Sequence, residues 1–317
     1  MSGFIVYLLT ITCIWGIQAF SLNLQYGVTG LVNLGQIAFF MIGGYVSVIL
    51  VMLAGWPVGL GIIGGAAAAA LYGMLLALPT ASLQQDYWAI STLAAAEIVR
   101  MIFLNQTLGS PYVGASFGVT NIPQPLQSVI GNNVYPLFYL GLSAFCLLVC
   151  WGISHWLLHM PFGRALKAVR EGDEVPLALG KNVRSMRIRA MGVGGALGGL
   201  AGALFAHYNA FISPNYFLPI ETFMVWAMVI VGGAGNFAGV LAGTLLVEVI
   251  SASSRFVKDV IPVDPRVLGP ARMIIIAVLV IVVLIYVPEG LLRERRRRYA
   301  GTHKPPAGQP LSDEGPP

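Results

Sequence analysis

Long apolar segments with almost no charged residues recur along the sequence and constrain the fold more than any other feature. Seven of these segments contain between 15 and 28 residues each. A helix needs about 20 apolar residues to cross the hydrocarbon core of a bilayer. The segments therefore predict membrane-spanning helices, and Tyr87–Leu104 is an eighth candidate. The seven are Phe4–Phe20, Gln36–Leu53, Val58–Leu78, Pro136–Leu158, Met191–His207, Phe223–Ile250 and Met273–Val287.

The scarcity of charge excludes an ordinary soluble domain. Charged residues make up 10% of the 317 residues and hydrophobic residues 57%, whereas about 25% of the residues of a soluble domain are charged. The 38 glycines suit close helix packing in lipid, where small residues let backbones approach each other. The sequence predicts an all-α polytopic membrane protein, a bundle of about 8 hydrophobic segments with discontinuous or re-entrant helices.

Basic residues are concentrated in two clusters that predict the orientation of the chain. Burying an arginine at the centre of a membrane costs at least about 2.5 kcal/mol, and cytoplasmic loops carry an excess of Lys and Arg. Both clusters are therefore predicted to be cytoplasmic. This divides the chain into a membrane domain, residues 1–292, and a cytoplasmic tail, residues 293–317, that begins basic and continues disordered. The clusters are Arg164, Lys167, Arg170, Lys181, Arg184, Arg187 and Arg189, and then Arg293 and Arg295–Arg298.

A shared cytoplasmic side for both clusters requires a break within Phe223–Ile250. From a cytoplasmic Arg189, the span Met191–His207 leads outward, and one more unbroken span would bring the final arginines to the wrong side. Gly232–Asn236 interrupts the apolar pattern and predicts a discontinuous or re-entrant pair, followed by an outer loop over Ser251–Ala271. The alternative is one ordinary helix with a flexible middle. It would place the final arginines outside, against the rule that Lys and Arg concentrate in cytoplasmic loops.

The loop that carries the first basic cluster, Pro161–Arg189, has the pattern of a short amphipathic helix. Phe162, Leu166 and Val169 follow at helical spacing and form one apolar stripe. The cations recur every three residues on the other side. Such a helix suits either of two surfaces, anionic lipid headgroups or a groove in a cytoplasmic partner. The cations are Arg164, Lys167 and Arg170.

Local breakers predict where the helices of this loop begin and end. Pro161 fits the first turn of the first helix, and Gly172 ends it. Asp173 is predicted to cap a second short helix, which Gly180 would end.

Polar side chains inside predicted spans are candidates for function because they are costly in lipid. Glu97 and Arg100 are three residues apart on one helix and can pair, either as a structural ion pair or as a gate. Asn33, Gln36 and Asn236 lie at glycine breaks. They are predicted to hydrogen-bond the freed backbone near a translocation path; direct substrate contact is the alternative.

Neither a metal site nor a catalytic constellation is predicted. The four histidines and scattered serines give no metal-ligand spacing and no nucleophile motif. His207, beside Tyr208, is interpreted as an anchor at the membrane interface rather than a proton relay.

Several segments together resemble the permeases of branched-chain amino acid ABC transporters, specifically the LivM type. Their order agrees with that family across most of Gly27–Ile250. The resemblance implies that the basic loop is the coupling element for an ATPase, although Gly172 and Pro176 depart from the uninterrupted helix expected there. The segments are Gly30–Gln36, Asp86–Arg100, Met160–Glu171, Ala178–Val183, Gly199–Tyr208, Phe211–Pro214 and Gly232–Asn236. The implied coupling residues are Gly163, Arg164, Lys167, Arg170, Glu171 and Gly180.

This resemblance also implies the partners and the location. A homologous second permease subunit of the LivH type, two ATP-binding cassette subunits and a periplasmic amino-acid-binding protein are expected in a bacterial inner membrane. No phosphate-binding G-x-x-x-x-G-K-[ST] loop occurs in the sequence, so ATP is expected on the partner subunits. The chain would need no cofactor, bind no nucleic acid and not itself be an enzyme. The alternatives are an ion-coupled secondary transporter of small solutes and, behind it, a membrane-embedded enzyme.

Overall fold

The computed structural model describes residues 2–110, 113–114, 116–127, 130–131, 134–260, 265–287 and 289–292. Within these residues the chain is a bundle of helices with two pairs of very short strands. The helices are α1 (Ser2–Leu22), α2 (Gln36–Met52), α3 (Val58–Thr80), α4 (Gln85–Asn105), α5 (Tyr135–His159), α6 (Pro161–Glu171), α7 (Glu174–Ala178), α8 (Val183–Asn209), α9 (Pro219–Gly232), α10 (Phe237–Val260) and α11 (Pro265–Tyr286). The strands are β1 (Thr107–Ser110), β2 (Val113–Gly114), β3 (Val119–Thr120) and β4 (Phe211–Ile212).

The hydrophobic helices confirm a polytopic membrane protein, but not the predicted count of about eight segments. In the described ranges, five helices are long and apolar enough to cross a membrane, and four shorter apolar helices accompany them. The long ones are Gly3–Val28, Val58–Thr80, Gln85–Asn105, Tyr135–His159 and Val183–Asn209. The short ones are Gln36–Met52, Pro219–Gly232, Phe237–Ser253 and Met273–Tyr286.

Glycine contacts hold α2, α3 and α8 together at the centre of the bundle. A Cβ at Gly202 of α8 would overlap the carbonyl of Phe40 on α2, and one at Gly43 would overlap the backbone of Gly199. On α3, a Cβ at Gly65 would overlap the carbonyl of Gly43. These backbones pack in direct contact, as small residues allow in lipid.

The predicted break in Phe223–Ile250 is confirmed. α9 ends at Gly232 and α10 begins at Phe237. The two helices form an antiparallel hairpin. A Cβ at Gly232 would lie 2.6 Å from Cα of Val240, whereas one at Gly243, further along α10, would overlap the carbonyl of Met228, one turn earlier in α9. Gly233 (φ +107°) and Gly235 (φ +90°) make the turn in backbone conformations that favour glycine.

The predicted outer loop over Ser251–Ala271 is wrong. α10 continues to Val260 and α11 begins at Pro265, so most of this range is helical. Neither glycine nor proline occurs between Gly243 and Pro262. Without either of these helix breakers, α10 continues through this polar stretch.

The opposite end of the bundle from α6 is tied together by a strand pair and a buried histidine. β3 pairs antiparallel with β4. His207 lies 2.9 Å from the hydroxyl of Ser47 through Nε2 and 2.7 Å from the carbonyl of Pro123 through Nδ1. It is fully buried, so its interpretation as an anchor at the membrane interface is wrong; it joins the connection after α4 to α2 and α8.

The chain after α11 returns to the α9–α10 turn. The amides of Leu291 and Leu292 donate to the carbonyls of Val231 and Gly232 over 2.9 and 3.2 Å. The predicted tail, residues 293–317 with its arginines, lies outside the described residues.

Candidate coupling and translocation site

α6 has the two faces that the sequence predicts. Leu166 and Val169 are buried and Phe162 is half-buried against the bundle, whereas Arg164 and Glu171 are exposed. The apolar stripe fixes the helix to the membrane helices. Of the three cations predicted on the other face, Arg164 faces outward, together with Glu171.

Two glycines among the predicted coupling residues have structural roles. A Cβ at Gly163 would lie 2.6 Å from Cα of Leu158, at the end of α5, so glycine permits the sharp junction between α5 and α6. Gly180 has φ +69° and follows α7, as expected for a residue that ends a helix in the left-handed conformation.

Arg170 turns back towards the bundle. Its guanidinium donates to the carbonyl of Gly27, and a Cβ at Gly30 would lie 3.2 Å from the Cα of Arg170. Arg170 therefore joins α6 to the π-helical segment Asn23–Val28 that continues α1. Lys167, one turn earlier, is half-buried.

Asp173 does not cap α7 with its side chain, contrary to the prediction. Its carboxylate instead accepts two hydrogen bonds from Arg187 of α8, at 2.8 and 3.0 Å. The same guanidinium donates to the carbonyl of Ala81 over 2.9 Å. Hydrogen bonds between two charged groups are stronger than those from an uncharged backbone amide. The carboxylate of Asp173 therefore binds Arg187 instead of capping α7, and through Arg187 the basic loop is joined to the α3–α4 connection.

A closed polar cluster surrounds the break before α2. The Nδ2 of Asn33 donates to the side-chain oxygens of Gln25 (2.7 Å) and Gln36 (3.1 Å), and the Nε2 of Gln36 donates to Ser21 (2.6 Å). The hydroxyl of Ser21 donates to the carbonyl of Gly194 on α8. All four polar side chains are fully buried. The amide of Gly35 also donates to Oδ1 of Asn33 over 2.8 Å, so Asn33 does bond the freed backbone. A place near a translocation path stays a prediction for Asn33 and Gln36.

Neighbouring helices satisfy the backbone that this break frees. The amide of Leu34 donates to Thr92 of α4 over 3.1 Å, and that of Ile37 donates to Thr222 of α9 over 3.3 Å. The indole of Trp226 donates to the carbonyl of Asn33 over 3.0 Å. Irregular backbone at membrane depth is tolerated where protein groups replace water in this way.

Asn236 caps α10. Its Oδ1 accepts from the amides of Ala238 (3.1 Å) and Gly239 (3.3 Å), and its Nδ2 donates to the carbonyl of Leu292. Next to it, the amide of Gly235 donates to Oδ1 of Asn23 over 2.8 Å. The second break is thereby hydrogen-bonded to the π-helical segment that Arg170 also contacts. Leu292, α6 and both breaks are thus linked at one end of the bundle.

Glu97 and Arg100 form the ion pair predicted from their spacing. The guanidinium donates from two nitrogens to the two carboxylate oxygens. The side chain of Arg100 is 11% exposed and that of Glu97 is 34% exposed. The pair lies on α4 beyond Thr92, and its carboxylate faces away from the buried cluster.

Sequence reasoning missed Ser21, Asn23 and Gln25. A usable signal was present, because Gln18, Ser21 and Gln25 are spaced three and four residues apart at the end of the first apolar run. That spacing puts them on one helix face. Such a face inside an apolar helix predicts a buried polar contact.

Comparison with known proteins decides the family. The chain matches the family described as branched-chain amino acid transport system / permease component over residues 4–284. The chain belongs to this permease family. The resemblance inferred from the sequence is confirmed, and membership makes the chain a transport subunit, not an enzyme, and a multi-pass membrane protein.

The relatives of the permease include both members of a permease pair. It is 33% identical over 309 residues to the high-affinity branched-chain amino acid transport system permease protein LivM of Escherichia coli K12, covering 89% of the chain and 68% of LivM. It is 29% identical to a probable branched-chain amino acid transport permease protein LivM of Methanocaldococcus jannaschii, covering 88% and 90%. The LivH permease of Escherichia coli K12 is 22% identical, covering 89% and 92%. No solved structure matches the chain significantly.

Proposed function

We propose that the permease is one subunit of an ATP-driven importer in a bacterial inner membrane. It would move branched-chain or other hydrophobic amino acids by alternating access. The observation that carries the proposal is α6, a basic helix fixed to the bundle by its apolar stripe while Arg164 faces outward. The similarity to LivM proteins named for branched-chain amino acid transport supports the substrate class.

The proposed complex contains a second permease of the LivH type, two ATP-binding subunits that hold the ATP, and a periplasmic amino-acid-binding protein. The relatives named LivM and LivH support the permease pair. The basic loop, residues 161–189, and the tail, residues 293–317, are cytoplasmic in this proposal. The ATP-binding subunits then meet the loop, and the binding protein meets the opposite end.

The contacts of α6 suggest how movement would reach the membrane helices. Closure of the ATP-binding subunits would displace α6, and Arg170 would pass the displacement to Gly27. From the π-helical segment, the hydrogen bond between Asn23 and Gly235 leads to the α9–α10 turn. A single displacement of α6 would thus move both the break before α2 and the break between α9 and α10. The cluster of Asn33 and Gln36 would keep the first break closed to water in the described conformation.

Uptake into vesicles tests the energy source. The four membrane-associated subunits, with the binding protein added outside, are expected to accumulate leucine only when ATP is enclosed on the cytoplasmic side. A proton or sodium gradient without ATP is expected to give no accumulation. Accumulation that follows an ion gradient and ignores ATP would overturn the proposal in favour of a secondary transporter.

Charge reversal on the outward face of α6 tests the docking role. Arg164→Glu is expected to lower ATP-driven uptake at least about tenfold, because like charges juxtaposed at an interface cost several kcal/mol. ATP hydrolysis by the complex should become independent of substrate and binding protein. Arg164 is exposed, so insertion should be unchanged.

Arg164→Lys is the matched control, since it keeps the charge, and it should retain most of the uptake. Arg170→Glu is a less clean test because it also breaks the contact with Gly27. If Arg164→Glu transported like the parent, residue 164 would have no docking role, and lipid headgroups would be the surface that α6 contacts.

A further inference from the structure

The face of α4 that points away from the bundle forms a shallow groove of about 640 Å³. Its large apolar side chains are well exposed, Ile98 by 61%, Ile102 by 51% and Met101 by 44%. The groove is therefore a continuous apolar surface with one ionisable residue and a polar end. Its lining residues are Ala94, Glu97, Ile98, Met101, Ile102, Asn105 and Gln106.

Glu97 places a carboxylate towards the Ala94 end of this surface. At 1.5 Å per residue it lies about 18 Å along the axis from Gln85 and about 12 Å from Asn105, so it lies at the depth of the hydrocarbon core. About a third of its side chain is exposed, even though Arg100 binds both oxygens. Ionisable residues within membrane spans almost always face the interior of a bundle or a water-filled cavity. Glu97 instead faces out of the chain.

The outer faces of α3 and α5 show what a lipid-facing surface of this protein looks like. Ile63 on α3 is 63% exposed and Leu148 on α5 is 60% exposed. Neither helix contains Asp, Glu, Lys or Arg. Lipid suffices to cover those faces. The groove on α4 has the same apolar exposure, but its carboxylate keeps acceptor lone pairs beyond the two that Arg100 uses, and lipid tails offer no donor to them.

We infer that the groove Ala94–Gln106 is the surface against which the second permease subunit packs. This inference rests on the proposed function, which supplies the possible neighbours. The ATP-binding subunits and the binding protein lie outside the bilayer in that proposal. The second permease is the partner that reaches the depth of Glu97, and it would present hydrogen-bond donors, such as serine, threonine or asparagine side chains, to the exposed carboxylate oxygens.

Photo-crosslinking from two matched positions tests the assignment. A benzophenone amino acid is placed at Ile98 or at Ile63, which have nearly equal exposure, and the complete complex is irradiated in membranes. Ile98 is expected to yield an adduct with the mass of both permeases, identified by mass spectrometry, and Ile63 is expected to yield none. An adduct of Ile98 with a second copy of this chain, or with lipid alone, would overturn the inference.

A bulky side chain in the groove provides a second readout. Ile98→Trp is expected to lower the amount of second permease that copurifies with the tagged chain at least about tenfold, equivalent to one decade in the association constant. Ile63→Trp should leave copurification unchanged, with both variants inserted at parental levels. Equal copurification would contradict the assignment.

The outcomes separate this inference from the proposed function. If the complex takes up leucine with ATP but Ile98 crosslinks elsewhere, the groove assignment fails and the proposed function stands. If uptake does not depend on ATP, the proposed function fails whatever Ile98 contacts.

Discussion

A valine at position 202 is expected to prevent the bundle from assembling. A Cβ there would overlap the carbonyl of Phe40 and lie 2.6 Å from its carbonyl carbon. Overpacking a core costs about 1–3 kcal/mol where flexible side chains can yield, and here the obstacle is backbone. The α2 and α8 helices would have to separate, breaking the neighbouring contact of Gly43 with Gly199 as well.

Gly152→Val is the matched control for Gly202→Val. Gly152 lies in α5, and a Cβ there would meet nothing within 4 Å. Size-exclusion chromatography and thermal denaturation in detergent should give aggregated, poorly expressed protein for Gly202→Val and parent-like protein for Gly152→Val. Equal melting temperatures for the two variants would mean that α2 and α8 do not pack this closely.

Asn33→Leu is expected to lower the stability of the permease strongly. The substitution nearly preserves volume but leaves the side-chain oxygen of Gln25 without its 2.7 Å donor and the amide of Gly35 without its 2.8 Å acceptor. Gln36 loses a partner as well. Each buried group left unsatisfied costs about 1–3 kcal/mol, so a loss of about 2–9 kcal/mol is expected for two or three such groups.

Thermal denaturation in detergent measures this loss against Asn209→Leu. Asn209 is exposed and donates to the carbonyl of Phe205 in its own helix, so its replacement should change the melting temperature little. If the two variants melted at the same temperature, the hydrogen bonds of Asn33 would contribute nothing measurable, and direct substrate contact would be the better account of Asn33.

The helices and the basic loop could be predicted because the underlying constraints are local. Lipid demands uncharged runs of a certain length, so α3 and α5 are visible directly in the sequence. The glycines of Gly232–Asn236 leave the apolar run before them too short to cross a membrane, and this interruption marked the α9–α10 turn. The stripe of Phe162, Leu166 and Val169 gave α6 because a helix repeats every 3.6 residues.

The contacts that organise the candidate site could not be predicted, because they join residues distant in sequence. Ser21 meets Gly194, 173 residues away, and Asn23 meets Gly235, 212 residues away. Periodicity carries no information about such pairs. Asp173 shows the same limit, since a local capping rule competes with a tertiary ion pair to Arg187 that only the folded chain supplies.

The return of the chain to the α9–α10 turn has a practical consequence for labelling. Leu291 and Leu292 provide amide donors to the last carbonyls of α9, which a bare helix end would leave without partners. An affinity tag or fluorescent reporter attached after residue 292 keeps these donors. A fusion joined a few residues earlier puts foreign residues in place of Leu291 and Leu292, and the native path of the chain that aims these two amides at α9 is lost. Residue 293 is therefore the earliest junction at which a C-terminal fusion leaves this end of the bundle intact.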